Sequence, residues 1–494
     1  LAAGGGAISA AAAFGRSRDT KTRATATAVN ATANVLKVLF MMSSDGLDSR
    51  ESRAILSEAG AHEQLNRAPG YTRFDSMQRG AALVVTAAAT ALGAALVSAQ
   101  GIFVGSRNHA AIQYSTRETT DAIAKLNRRL EDGQVRLSFD GARGYLASAL
   151  TAFDISIDSQ TLVYSETSFQ SDLITEKTPR ALYFNDTVAV GWVQGGDALE
   201  AAALDPEQGV IFYTLDQKPG GRPQFARSER CLQCHVTSYT DNVPGFFVMS
   251  MLPLSDNQND YAEGWGVDHR TPIADRWGGW YVTGEQVPMV HLGNVPVYHV
   301  PRSYVRAKTA PRLASVAVRF DASPYLSPSS DVAALLVLNH QVRMANLLTR
   351  LGWEARVAAH DDPGGGSARV RDTARELVDY LLFVDEAPLP APVRGATAFS
   401  KDFPAKGPRD SKGRSLRELD LDRRLLRYPC SYMIYSEAFD HLPGEAKNAV
   451  YERMWAILSG QEQDAAYARL SPADRRAIVE ILRDTKKGLP DYFR

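Results

Sequence analysis

Two thiols and an imidazole stand together in residues 227–245, RSERCLQCHVTSYTDNVPG, where Cys231 and Cys234 are three apart and His235 follows directly. The chain has only three cysteines and nine histidines in 494 residues, so a chance CxxCH is remote. The pattern reads as covalent attachment of one c-type haem. Thiols at this spacing reach the two vinyl groups of a single porphyrin, and the next histidine is carried under the ring to ligate the iron. A redox dithiol would place CxxC at a helix N-terminus after a strand, whereas Arg-Ser-Glu-Arg precedes it here and a Thr/Ser/Asn/Pro loop follows. A zinc site needs a second pair of ligands, and no further paired motif accompanies this one.

With His235 as proximal ligand, a distal ligand must come from elsewhere in the chain. His291, His340 and His269 are the candidates. His340 and Met344 are four apart on a helix predicted over 331–350, on a face shared with Ala333, Leu336, Val337 and Leu347. A histidine on such a face is more often a satisfied core residue than a ligand. His269 and His291 flank a segment containing Trp265, Trp277 and Trp280, side chains that either wall a porphyrin or form core. Asp268, Arg270, Asp275 and Arg276 could pair with haem propionates or with one another. Met249, Met251 and Met289 add thioether donors, and a five-coordinate iron also fits. Cys430 reads as a buried free thiol.

The elements around the motif are predicted from periodicity. A helix over 119–133 ends at Gly133, residues 134–139 alternate as a strand, and 143–153 form a short helix. Strand signals follow in TLVYS, ALYFN, VAVGWV and GVIFYTL before the motif, and in GFFVMSML, GGWYVTG and VPVYHV after it. Near 327 the pattern turns helical, with further helices expected at 370–384, 415–427, 443–459 and 472–486. DDPGGGS at 361–367 reads as a linker. The expected class is α+β: a β-rich haem-bearing body, 100–326, then a mainly helical region, 327–494. It is not the small all-helical cytochrome fold.

Composition matches a soluble globular chain: 45% hydrophobic, 22% charged, net charge -1, so no global field recruits nucleic acid. Residues 77–99 have the form of a signal peptide, with Arg79 in the n-region, an apolar run over 81–97, and Val97-Ser98-Ala99 as cleavage site. Export to the periplasm follows, with membrane association only if 81–99 stays uncleaved. Residues 1–76 read as an upstream, unstructured segment. Haem c is attached outside the bacterial cytoplasmic membrane, so signal and motif agree.

The stretches ALYFNDTVAVGWVQGG, CLQCH, DHRTPIADRWGGWYVTG, HLGN and RYPCSYMIYSEAFDHLP together resemble large exported bacterial proteins with a single cytochrome c motif, over about residues 110–494. The resemblance implies haem attachment at Cys231, Cys234 and His235, and export; it implies no substrate. Two functions remain open. One is electron transfer with a redox partner protein or a small-molecule donor or acceptor. The other is a haem-dependent oxidoreductase, or a redox or gas sensor, with an open iron site. GxSxG, HExxH and phosphate-loop motifs do not occur.

Overall fold

The computed structural model describes residues 106–251, 264–295, 310–364 and 367–493. Residues 1–76, the signal segment 77–99 and nearly all of VPVYHV lie outside them. The described residues belong to one compact unit, Val97–Arg494. One continuous core runs through them. An antiparallel sheet region and a helical C-terminal part, which meet near the boundary expected at 327, share that core.

Six strands form an antiparallel meander in chain order: β1 Thr161–Val163, β2 Arg180–Phe184, β3 Val188–Trp192, β4 Ala198–Asp205, β5 Gly209–Asp216 and β6 Ala226–Arg227. A separate pair joins β7 Met249–Met251 to β8 Gly264–Gly266. The sheet was legible except for the two-residue β6 and for β4, whose sequence ALEAAALD lacks the β-branched residues that signal a strand. It is nevertheless a central strand, with Ala201, Ala202 and Ala203 opposite Tyr213, Phe212 and Ile211. Helix α1, Ala122–Glu131, packs on β4, where small side chains permit close approach. Residues 134–139 keep the expected alternation, with Val135, Leu137 and Phe139 half-buried, but pair with no strand. GGWYVTG likewise forms only isolated bridges, Val163 with Trp280 and Thr283 with Asp331.

Helix α2 is Leu146–Ala152, and the motif occupies a single turn, α3, Leu232–His235. The centre of the molecule is α4, Val332–Asp361, which continues well past the predicted 350. It is buried on nearly every side over 332–355, the signature of a core helix. Around it lie α5 Ala368–Leu381, α6 Phe399–Ala405, α7 Glu437–Asp440, α8 Gly444–Leu458 and α9 Pro472–Thr485. The helix expected at 415–427 is instead a tight turn. Asp420 accepts from the amides of Asp422 and Arg423, and Leu421 takes φ 57°, so side-chain competition for backbone donors defeats the helical pattern. Among the described residues no helix is long and apolar enough to cross a membrane.

Asp331 starts α4. Its Oδ1 accepts from the amides of Ala333 and Ala334, while its Oδ2 accepts from the amides of Ala396 and Thr397 and from Thr397 Oγ1. One fully buried carboxylate thus caps the core helix and holds the loop before α6. Asp331→Ala should cost about 2–3 kcal/mol, the loss of a cap together with buried donors left unpaired. Urea unfolding followed by far-UV dichroism checks this.

Candidate haem attachment site

The motif is delivered by β5 and β6. The Ser228 amide donates to the Phe212 carbonyl at 2.8 Å, and a 3-10 turn, Glu229–Cys231, leads into α3. Leu232 is buried and anchors the turn. Cys231 is half-buried with Sγ 3.8 Å from Ser228 Oγ, while Cys234 is exposed. Both thiols are free. A spacing of three on a helical turn puts them on one side, with His235 four after Cys231. Burial raises the pKa of the Cys231 thiol.

His235 is held from one nitrogen only. Its Nδ1 lies 2.9 Å from the Gly245 carbonyl, and the Gly245 amide donates back to the His235 carbonyl at 3.1 Å. Its Nε2 has no hydrogen-bond partner among the described residues. Helix α4 sets this arrangement. Asn346 accepts from the Phe246 amide at 2.9 Å and donates to the Phe246 carbonyl at 2.7 Å. A Cβ on Gly245 would lie 2.3 Å from Asn346 Oδ1, so only glycine allows this approach. The ring of His235 rests between Phe212 at 4.6 Å and Phe247 at 4.9 Å. Burial lowers its pKa to about 4, partly opposed by the Gly245 carbonyl, so the imidazole is neutral at neutral pH.

An ion pair, Arg180 with Glu200, lies near the motif and acts electrostatically on both Cys231 and His235. Glu200 also accepts from Ser168 Oγ at 2.6 Å and Gln170 Nε2 at 2.8 Å. Arg180 Nε is buried without a partner. Sequence reasoning missed this pair and the Gly245 carbonyl; only the Pro244-Gly245 dipeptide hinted at a close backbone approach.

These residues fit a covalently attached haem. The imidazole is neutral, its Nδ1 is oriented by a backbone carbonyl as metal-ligating histidines usually are, and Nε2 remains for iron. Two unpaired thiols stand on the adjoining turn.

The distal candidates lie elsewhere. His269 and His340 face each other, Nδ1 to Nδ1 at 2.8 Å, both buried and stacked with Tyr380 and Phe383. His340 Nε2 is 2.7 Å from Ser431 Oγ, so both its nitrogens are engaged. His269 Nε2 is buried with no partner. His291 is buried, accepts from the Gly293 amide at Nδ1, and packs edge-on to Trp277. None of the three has a hydrogen bond or ring contact to His235 among the described residues. The tryptophans are similarly occupied: Trp277 donates to Asn339, Trp280 to the Met249 carbonyl and Trp265 to the Asp275 carbonyl. Arg270 pairs with Asp268, and Arg276 donates to the carbonyls of Thr271 and His269. Met249 is half-buried on β7 and Met251 buried, near Phe247 in sequence; Met289 is exposed. Cys430 is fully buried and free, its thiol pushed up by burial.

A cavity of about 300 Å³, partly lined by Asp121, Lys125, Asp186, Arg417 and Tyr432, does not include the motif. Comparison of the chain with protein-family models, with curated proteins and with solved structures yields no match.

Burial also sets a pH dependence. His291 is lowered to about 4, and His269 and His340 are both depressed below 6.5. Below pH 6.5 the unfolded chain binds protons that the folded chain refuses. Stability is therefore full above that pH and falls toward pH 4, by up to about 1.4 kcal/mol per unit for each imidazole. Urea midpoints should drop steadily from pH 7 to pH 5; unchanged midpoints would contradict neutral burial.

Proposed function

We propose that the protein is an exported mono-haem c-type cytochrome that passes single electrons between partners, with haem bound covalently at Cys231 and Cys234 and ligated by His235. One observation carries the reading: the CLQCH turn presents two free thiols beside a neutral imidazole whose Nδ1 is fixed and whose Nε2 is open. Bound haem supplies reversible one-electron chemistry at its iron. The chain's own part is to hold the proximal ring. Phe212 and Phe247 restrict its tilt, and the Gly245 carbonyl keeps the proton on Nδ1. Rigid ligand placement lowers the reorganisation that accompanies an electron. The signal-like segment 77–99 supports a periplasmic address, where haem attachment takes place.

A second reading, a haem-dependent oxidoreductase or sensor with an exchangeable position on the iron, is favoured by a specific observation. His269, His291 and His340 all bind other groups, and none contacts the motif.

Cys231→Ser with Cys234→Ser should abolish the haem-stained band on a denaturing gel when the chain is exported alongside the haem-attachment machinery. Wild-type protein without covalent haem under those conditions defeats the proposal. His235→Ala should keep the thioether links and lose normal iron ligation, seen in the pyridine-free ferric spectrum.

The same spectrum separates the two functions. A low-spin iron that ignores added imidazole or cyanide supports transfer, and a high-spin iron that binds them supports catalysis or sensing. Alanine at His340, whose two nitrogens are both engaged, should leave the spin state unchanged.

A further inference from the structure

We propose a second, independent site: a divalent transition-metal site at the protein surface, formed by His109, His360 and Asp361. His360 and Asp361 are neighbours at the end of α4, and packing on that helix brings His109 to them from a distant part of the chain. The turn at His109 is fixed by its own carbonyl, which accepts from the amides of Ile112 and Gln113 at 2.9 Å each. Ile112 and Tyr114 are buried and seat that turn. Tyr114 meets Trp353 of α4 edge-on at 6.2 Å, and its hydroxyl donates to the Val210 carbonyl at 2.8 Å. Trp353 and His360 are seven residues apart, two turns along one face of the helix. Seating Tyr114 on Trp353 therefore carries His109 to the helix end.

There His109 Nε2 lies 3.2 Å from Asp361 Oδ1, and His360 Nδ1 lies 3.0 Å from the same oxygen. All three donor atoms fall within 4.8 Å of one another. Tetrahedral ligation at zinc bond lengths puts donor atoms about 3.3 Å apart, so small side-chain movements suffice. Two imidazoles and one carboxylate suit Zn²⁺, Ni²⁺ or Cu²⁺ and do not suit the all-oxygen preference of Mg²⁺ or Ca²⁺. Asp361 closes α4, where the helix carbonyl ends favour a cation. Its only ionic partners among the described residues are these two imidazoles.

Without metal, His109 Nδ1 accepts from the Ala111 amide at 3.2 Å, which puts the ring proton on Nε2 toward Asp361. Ligation moves that proton to Nδ1, and the half-exposed Ala111 amide turns to water. His360 likewise shifts its proton from Nδ1 to Nε2, so each ring keeps one proton. Three protein ligands leave a fourth position open to water, and the bound ion staples the turn at 109 to the end of α4.

The site shares no residue with the CxxCH motif and does not rest on the haem reading. The test is calorimetric titration of Zn²⁺ into the chelator-treated full chain, with the unfolding temperature measured with and without zinc. One ion per chain should bind at this site and raise the unfolding temperature. His360→Ala and the conservative Asp361→Asn should each weaken binding by more than about tenfold, the loss that follows even from removing an outer partner. Both residues are exposed, so the metal-free unfolding temperatures of the variants should match wild type. Cys231→Ser with Cys234→Ser should retain the zinc-induced shift. The proposal is overturned if wild type takes up no zinc, or if binding and stabilisation persist undiminished when His109 and His360 are both alanine.

Discussion

A helix of 30 residues is buried along most of its length at a high cost unless most of the polar groups it carries find partners inside the protein. Helix α4 meets most of that demand by reaching into its neighbours, and leaves Asn339 Nδ2, Trp353 Nε1 and Glu354 Oε2 buried without a partner. Asp331 fixes the loop before α6, and Asn339 receives the Trp277 indole. Gln341 donates to the Asn185 carbonyl and accepts from Tyr432, while Asn346 grips both backbone groups of Phe246. The apolar residues between them supply cohesion. These polar side chains supply register, because a one-residue slip would strand all of them at once.

The CxxCH turn inherits its geometry from that helix at one remove. Asn346 fixes Phe246, Gly245 therefore lies against it, and the Gly245 carbonyl orients His235. A short surface turn could not hold an imidazole in one tautomer alone, since a four-residue helix has little stability of its own. The sheet completes the frame. Phe212 on β5 supports the ring of His235, and Gly209 at the head of β5 takes φ 84°, where a Cβ would meet Thr349 of α4 at 2.4 Å.

The same demand explains how the candidate distal histidines are held. An imidazole in the core must have at least one nitrogen satisfied, and the nearest donors and acceptors take precedence. His269 and His340 satisfy each other under the Tyr380 and Phe383 rings, and His291 takes the Gly293 amide. Apolar periodicity correctly marked His340 as interior. Interior location was the feature it shared with a haem ligand, so the pattern could not separate the two roles.

By itself the sequence determined the local matters: the CxxCH spacing, the strands carrying Val, Ile, Tyr and Phe, the start of α4 at Ser330-Asp331, and α5, α8 and α9 within a few residues. Each follows from covalent spacing or from a side-chain period of two or 3.6, which neighbouring residues alone establish. It did not disclose β4, where alanines are strand residues only because α1 and β5 need the room. Nor did it disclose the turn at 420–425, where carboxylates outbid the helix for backbone amides. The Gly245 carbonyl behind His235, the Arg180–Glu200 pair, the His269–His340 contact and the meeting of His109 with His360 are likewise absent from it. All of these join residues far apart in sequence or turn on which donor reaches an acceptor first, and only the packed chain decides such distances.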